Sequence, residues 1–118
     1  MQDNHYRQAA SQNGREVTYQ ERTFDTDKRG DEVYTVNNSK TVPVKIKGSD
    51  NISKTDLQIL DIGKLPEDAK VLMVEDLGAD KNDAFKWDDQ VYDIFKIADH
   101  YGEGGNKVGQ RILVKPEQ

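Results

Sequence analysis

The chain has 118 residues, of which 34% are hydrophobic and 33% charged, and its formal net charge is −5. That length suits one domain with a small core and leaves no room for a deep buried active site. The absence of cysteine excludes disulfides, thiol catalysis and cysteine-based metal sites.

Met1 to Gly14 is almost wholly polar and has no periodicity. It predicts a flexible N-terminal arm, not a signal peptide, and no run in the chain approaches the length of a membrane span. The expected organisation is an arm over 1–14 and a single domain over 15–118. The first strand is expected over Arg15–Asp25, where Val17, Tyr19 and Thr23 alternate with Thr18, Gln20 and Arg22. Asp25 to Asp31, with Gly30, reads as a turn. A short strand over Glu32–Val36 should end at Asn37-Asn38-Ser39. Another follows at Thr41–Lys47, with Val42, Val44 and Ile46 on one face; Pro43 lacks an N–H, which points to an edge.

Gly48 to Asn51 closes that strand. Over Ile52–Ile62, Ser53 offers a helix cap while Leu57, Ile59, Leu60 and Ile62 suit a strand, and a short loop followed by a strand is expected. Lys70–Glu75 is apolar on both faces (Val71, Leu72, Met73, Val74) and reads as the buried central strand. After a polar connection from Asp76 to Asp83 come three apolar runs: Ala84–Trp87, Val91–Ile97 and Arg111–Lys115. Asp88-Asp89-Gln90 would join the first two as a hairpin, and the four glycines between Gly102 and Gly109 supply unusual backbone angles before the third. A helix remains open over residues 82–101, since Trp87, Val91, Ile94, Ala98 and Tyr101 recur at steps of four, three, four and three. The richness in Val, Ile, Tyr, Phe and Trp favours the hairpin. The fold class is therefore mainly β, a small antiparallel barrel or sandwich with long loops.

Chemistry-bearing patterns do not add up to an enzyme. Asp99 and His100 are adjacent on a strand and so point to opposite faces, which prevents the carboxylate from orienting the imidazole. Counting a calcium loop from Asp80 puts Phe85 at its glycine position and Val91 at its closing glutamate. In the glycine loop Lys107 is followed by Val108 where a phosphate loop needs Ser or Thr. Asp88 and Asp89 sit in a turn with nothing to separate their pKa values. No cofactor is expected. Charge is uneven: residues 75–103 hold nine acids against three bases. An acidic stretch disfavours binding to a phosphate backbone.

The segment Arg15–Thr23, an Asp/Gly turn, a late Phe-x-Trp-Asp-Asp-Gln-x-Tyr-x-Ile-x-x-Ile and a closing Arg-Ile-Leu-Val-Lys resemble the head-completion, or stopper, proteins of tailed bacteriophages and related viruses. The turn glycine usual in that family is missing from Trp87-Asp88-Asp89-Gln90, and Val42–Ile62 has no counterpart in it. The resemblance implies a small barrel, no enzymatic activity, and a homo-oligomeric ring at the head–tail interface of the virion, made in the host cytoplasm. It implies a portal or adaptor protein on one side, tail proteins on the other, no membrane, and DNA passing without specific binding. An acidic lumen would keep DNA from sticking. The candidate channel-facing acids are Asp76, Asp80, Asp83, Asp88, Asp89 and Asp93. The candidate channel loop is Gly48, Ser49, Asp50, Asn51, Ile52 and Ser53. The candidate subunit-contact loop is Gly102, Glu103, Gly104, Gly105, Asn106 and Lys107. From a different class, a small acidic inhibitor that imitates DNA would share the acidic stretch.

Overall fold

The computed structural model describes residues 14–117; of the expected arm, all but Gly14 lies outside the described residues. Six strands alternate with polar turns: β1 (Arg15–Thr26), β2 (Glu32–Lys47), β3 (Lys70–Glu75), β4 (Ala84–Trp87), β5 (Gln90–Tyr101) and β6 (Lys107–Pro116). Among the described residues a short helix, α1 (Lys54–Ile59), lies between β2 and β3, and a 3-10 turn, Glu103–Gly105, precedes β6. All pairings are antiparallel, and the sheet closes into a barrel in the order β1-β2-β3-β6-β5-β4. Closure pairs every strand with two neighbours, but over part of its length only: β1 meets β4 over Thr18–Gln20 and β2 meets β3 over Lys45–Lys47, which leaves the rest of both strands paired on one side. The mainly β, small-barrel expectation holds.

Alternation places one side chain of each pair inside. Val17, Tyr19, Val42, Val44, Leu72, Val74, Phe85, Trp87, Ile94, Ile112 and Val114 fill the barrel. Each aliphatic or aromatic residue fully buried there contributes about 1.5–3 kcal/mol. A second cluster covers the outside of β3 and β6: Val71 and Leu113 meet Leu60, Leu65 and Ala69 from the segment that follows α1. This is why β3 is apolar on both faces; one side lines the barrel and the other lies under the α1 segment.

The helix alternative over 82–101 is resolved in favour of β4 and β5, joined by a two-residue turn across Trp87↔Gln90. Asp88 and Asp89 both have positive φ, 52° and 62°, the conformation that a primed two-residue turn requires and that Asp tolerates better than most non-glycine residues. Trp87 stacks on Tyr92 with ring centroids 3.7 Å apart and planes within 4°.

Two expectations are corrected. Asn37-Asn38-Ser39 does not end a strand: β2 runs unbroken for 16 residues. The register shift lies between Glu21 and Arg22, so Asn37 is the extra residue of a bulge. The Asn37 amide reaches the Thr23 hydroxyl, and the Asn38 amide donates to the Glu21 carboxylate at 3.2 Å. Ile52–Ile62 forms no strand either. Ser53 and Asp56 make a reciprocal capping box that starts α1, with the Ser53 hydroxyl accepting from the Asp56 N–H and the Asp56 carboxylate accepting from the Ser53 N–H. Pro43 does sit on a stretch of β2 that no other described strand pairs beyond β1, because β3 joins β2 only from Lys45 to Lys47.

That limited pairing shapes the molecule. β4 pairs with β1 only over Thr18–Gln20. Residues 22–26 of β1 and 32–36 of β2 therefore run past the barrel as a two-stranded ribbon.

Candidate assembly surfaces

Arg22, expected on the solvent side of β1, is 8% exposed and holds the ribbon to the barrel. Its Nε donates to the Asn82 carbonyl at 2.7 Å, and Nη2 donates to Asp93 Oδ1 at 3.0 Å. Nη1 lies 3.5 Å from Glu117 Oε2, and the guanidinium stands 4.0 Å over the Tyr34 ring. The bulge at Asn37 sets the local twist that lets the base of the ribbon meet β5 and the end of β6. Beyond this anchor the ribbon is apolar where one would expect a polar surface. Phe24 and Tyr34 face each other across it at 5.3 Å, and Phe24, Val33, Tyr34 and Val36 are all exposed. With Phe95 of β5, they make five of the seven exposed large hydrophobic residues among those described. The ribbon, β5 and the β6 end enclose an open groove lined in part by Val33, Tyr34 and Phe95.

The six candidate channel acids do not form one patch. Asp88 and Asp89 are exposed at the β4–β5 turn, where Asp88 accepts two hydrogen bonds from Arg15 at 3.0 and 2.9 Å. The hydrogen bond from Arg15 lowers the Asp88 pKa and raises that of Arg15. Asp76 follows β3, whose last residue pairs with Gly109, itself opposite His100 near the far end of β5; about ten residues of strand, roughly 33 Å, separate it from Asp89. Lys107 stands near it at 4.0 Å. Asp80 is exposed on the connection. Asp93 is half-buried and paired with Arg22.

Asp83 departs from its expected role. It is 6% exposed, and its carboxylate accepts from the Tyr19 hydroxyl, the Arg22 N–H at 3.0 Å and the Asp80 N–H at 2.9 Å. It ties β1 to the start of β4 and does not face solvent. Burial, followed by the hydrogen bond to Asp83, pushes the Tyr19 pKa far up.

The loop Gly48–Ser53 is a tight turn closed by Asn51, whose Oδ1 accepts from the Gly48 N–H at 2.8 Å, and it leads directly into α1. The loop Gly102–Lys107 projects as the 3-10 turn, with Gly104 and Gly105 at φ 85° and 80° and Glu103–Asn106 exposed. Lys107 lies 3.6 Å from Asp99. Asp99 also accepts from Gln110 at 2.9 Å.

One charged group was not anticipated. Asp56 is fully buried and accepts from Lys47 Nζ at 2.9 Å, Arg111 Nε at 2.8 Å, the Ser53 N–H at 3.1 Å and the Ser53 hydroxyl at 2.9 Å. Burial opposes its charge, but the bonds from Lys47 and Ser53 outweigh burial and hold its pKa at about 2. The Ser53-x-x-Asp56 spacing was the available signal for the cap; nothing local announced Lys47 and Arg111 as its partners.

No family model and no curated protein matches the chain. Among solved structures it is similar to the solution structure of protein SF1141 from Shigella flexneri 2a, a structural genomics target, at 13% identity and a TM-score of 0.52 over 86% of this chain and 89% of that one. At that identity the likeness concerns the fold alone. No helix among the described residues is long and apolar enough to cross a membrane.

Proposed function

We propose that this chain is a structural subunit of a viral head–tail connector, of the stopper or head-completion type, whose copies form a ring between portal or adaptor and tail around the path of the DNA. The observation that carries the proposal is the apolar ribbon standing off a closed barrel. Phe24, Val33, Tyr34 and Val36 are exposed in a chain whose hydrophobic content is only 34%. Apolar surface gathered on one projection marks a protein-interaction site, and a repeated contact between copies buries it once per subunit. The family resemblance supports the same reading through the opening strand and the closing Trp87–Ile97 hairpin.

Of the candidate acids, Asp76, Asp80, Asp88 and Asp89 are exposed and remain in the proposed channel role, whereas Asp83 does not. Because they are spread along the barrel, they suit a lumen traversed lengthwise by DNA better than a compact imitation of a phosphate backbone on one face. The chain acts in the virion neck after synthesis in the host cytoplasm, and it needs no cofactor for this role.

Retention of DNA by filled, tailless heads tests the proposal. Heads assembled without this chain should leave their DNA open to nuclease, and adding the purified chain should restore protection. Full protection without it would refute the stopper role.

A further inference from the structure

The ribbon ends in Asp27-Lys28-Arg29-Gly30-Asp31. The Asp27 carboxylate turns back on the turn itself, accepting from the Arg29 N–H at 2.8 Å and the Asp31 N–H at 2.9 Å, and Gly30 supplies a φ of 84°. Lys28 and Arg29 are left exposed at the apex, and neither makes an ion pair with another described residue. Alongside the ribbon, from Glu32 next to the turn down to Tyr34 and on to β5 and the end of β6, lies the groove, of about 650 Å3. It is lined by Glu32, Asp68, Asp93 and Glu117 against a single cation, Lys115, whose ammonium already stands 5.0 Å over the Phe95 ring. Asp93 and Glu117 share Arg22, while Glu32 and Asp68 have no ion-pair partner among the described residues. Its floor is aromatic, with Tyr34 41% and Phe95 53% exposed, and one ring face of Tyr34 already carries a guanidinium. An acid-rimmed groove whose two partly exposed aromatic rings already hold cations of this chain has the chemistry that takes Lys and Arg side chains.

We propose that the groove receives the Lys28–Arg29 apex of a second copy of this chain. Within one copy Lys28 and Arg29 make no ion pair with Glu32 or Asp68, although Glu32 is only three residues from Arg29, which leaves both sets of charges for a neighbour. The contact is head-to-tail: each copy offers an apex and a groove, and the exposed Phe24, Val33 and Val36 are carried toward the neighbour. Such a contact repeats around a ring when the rotation closes. The inference deepens the connector reading, on which it relies for ring closure alone.

Sedimentation equilibrium of the purified chain tests it with two charge-reversed variants, K28E/R29E at the apex and E32K/D68K in the groove. All four positions are exposed, and unchanged Trp87 fluorescence verifies that both variants fold. Self-association of the wild type should weaken at least about tenfold in either variant and also at high salt, and mixing the two variants should restore association between them. Either variant associating as the wild type does would overturn the proposal, as would a mixture that fails to associate. A wild type that stays monomeric yet binds a Lys-Arg peptide would assign the groove to another protein instead. A ring that persists in K28E/R29E refutes the apex contact and leaves the connector reading standing. Rescue by mixing, in a chain that never joins a virion neck, does the reverse.

Discussion

At Asp56 three elements meet on one carboxylate: Lys47 ends β2, Arg111 lies in β6, and Ser53 caps α1. Substituting Asp56→Ala leaves two cations beside a vacated site and uncaps the helix, and should cost about 3–5 kcal/mol in urea unfolding. The folded pKa, about 2, lies below the ordinary 3.8, so the unfolded chain binds the extra proton between those values. The stabilisation is complete above pH 4 and is lost as pH falls through 2, a change of about 2 kcal/mol that Asp56→Asn should abolish. Tyr19 carries the opposite sign: its pKa is raised, so its contribution is present below pH 10 and lost above it. Tyr19→Phe leaves the buried Asp83 with one donor fewer and should cost about 1–2 kcal/mol at neutral pH, read from the single tryptophan, Trp87. An unchanged midpoint would show that Asp83 is satisfied without the hydroxyl. Neither acid was legible as buried. An isolated Asp in a polar stretch looks the same whether it faces water or accepts hydrogen bonds from residues about 60 positions away.

Strands announced themselves where one face is buried. β3, β4 and the Val42–Ile46 part of β2 were readable because their side chains fill the barrel, and Glu32–Val36 was readable as a strand; what the sequence hid was its continuation through the bulge at Asn37, where polar residues look like an end. α1 was missed because Leu57, Ile59, Leu60 and Ile62 fit neither period cleanly, and the capping box that decides the matter was outweighed by strand preference. At the β4–β5 turn the chain uses two aspartates where glycine is easier. Asp89 holds φ at 62°, so Asp89→Gly should stabilise the hairpin by about 1 kcal/mol and raise the melting temperature. A lower melting temperature would mean that the Asp89 side chain makes a contact worth more than the backbone relief. The ribbon should behave differently from the barrel. Its amides near Phe24 and Val33 should exchange with solvent faster than those of β3 in the isolated chain and slow on assembly.

A closed barrel buries its apolar interior and leaves exposed apolar side chains gathered on one projection, and that division of labour underlies the connector proposal. The mainly β class could be foreseen from turn spacing and alternation, which left barrel and sandwich open, but the projection could not, because it arises from how far β3 and β4 extend along their neighbours. The acids follow the same lesson. Sequence grouped six of them in one stretch, and the strands then distributed them between a turn, a connection and the interior. Electron cryomicroscopy of the virion neck is the most direct test at this scale. The account predicts a ring of six-stranded barrels around the DNA path, each with its ribbon reaching the next copy and with Asp76, Asp80, Asp88 or Asp89 toward the lumen. A neck fully explained by other chains, with no density for this barrel, would contradict it.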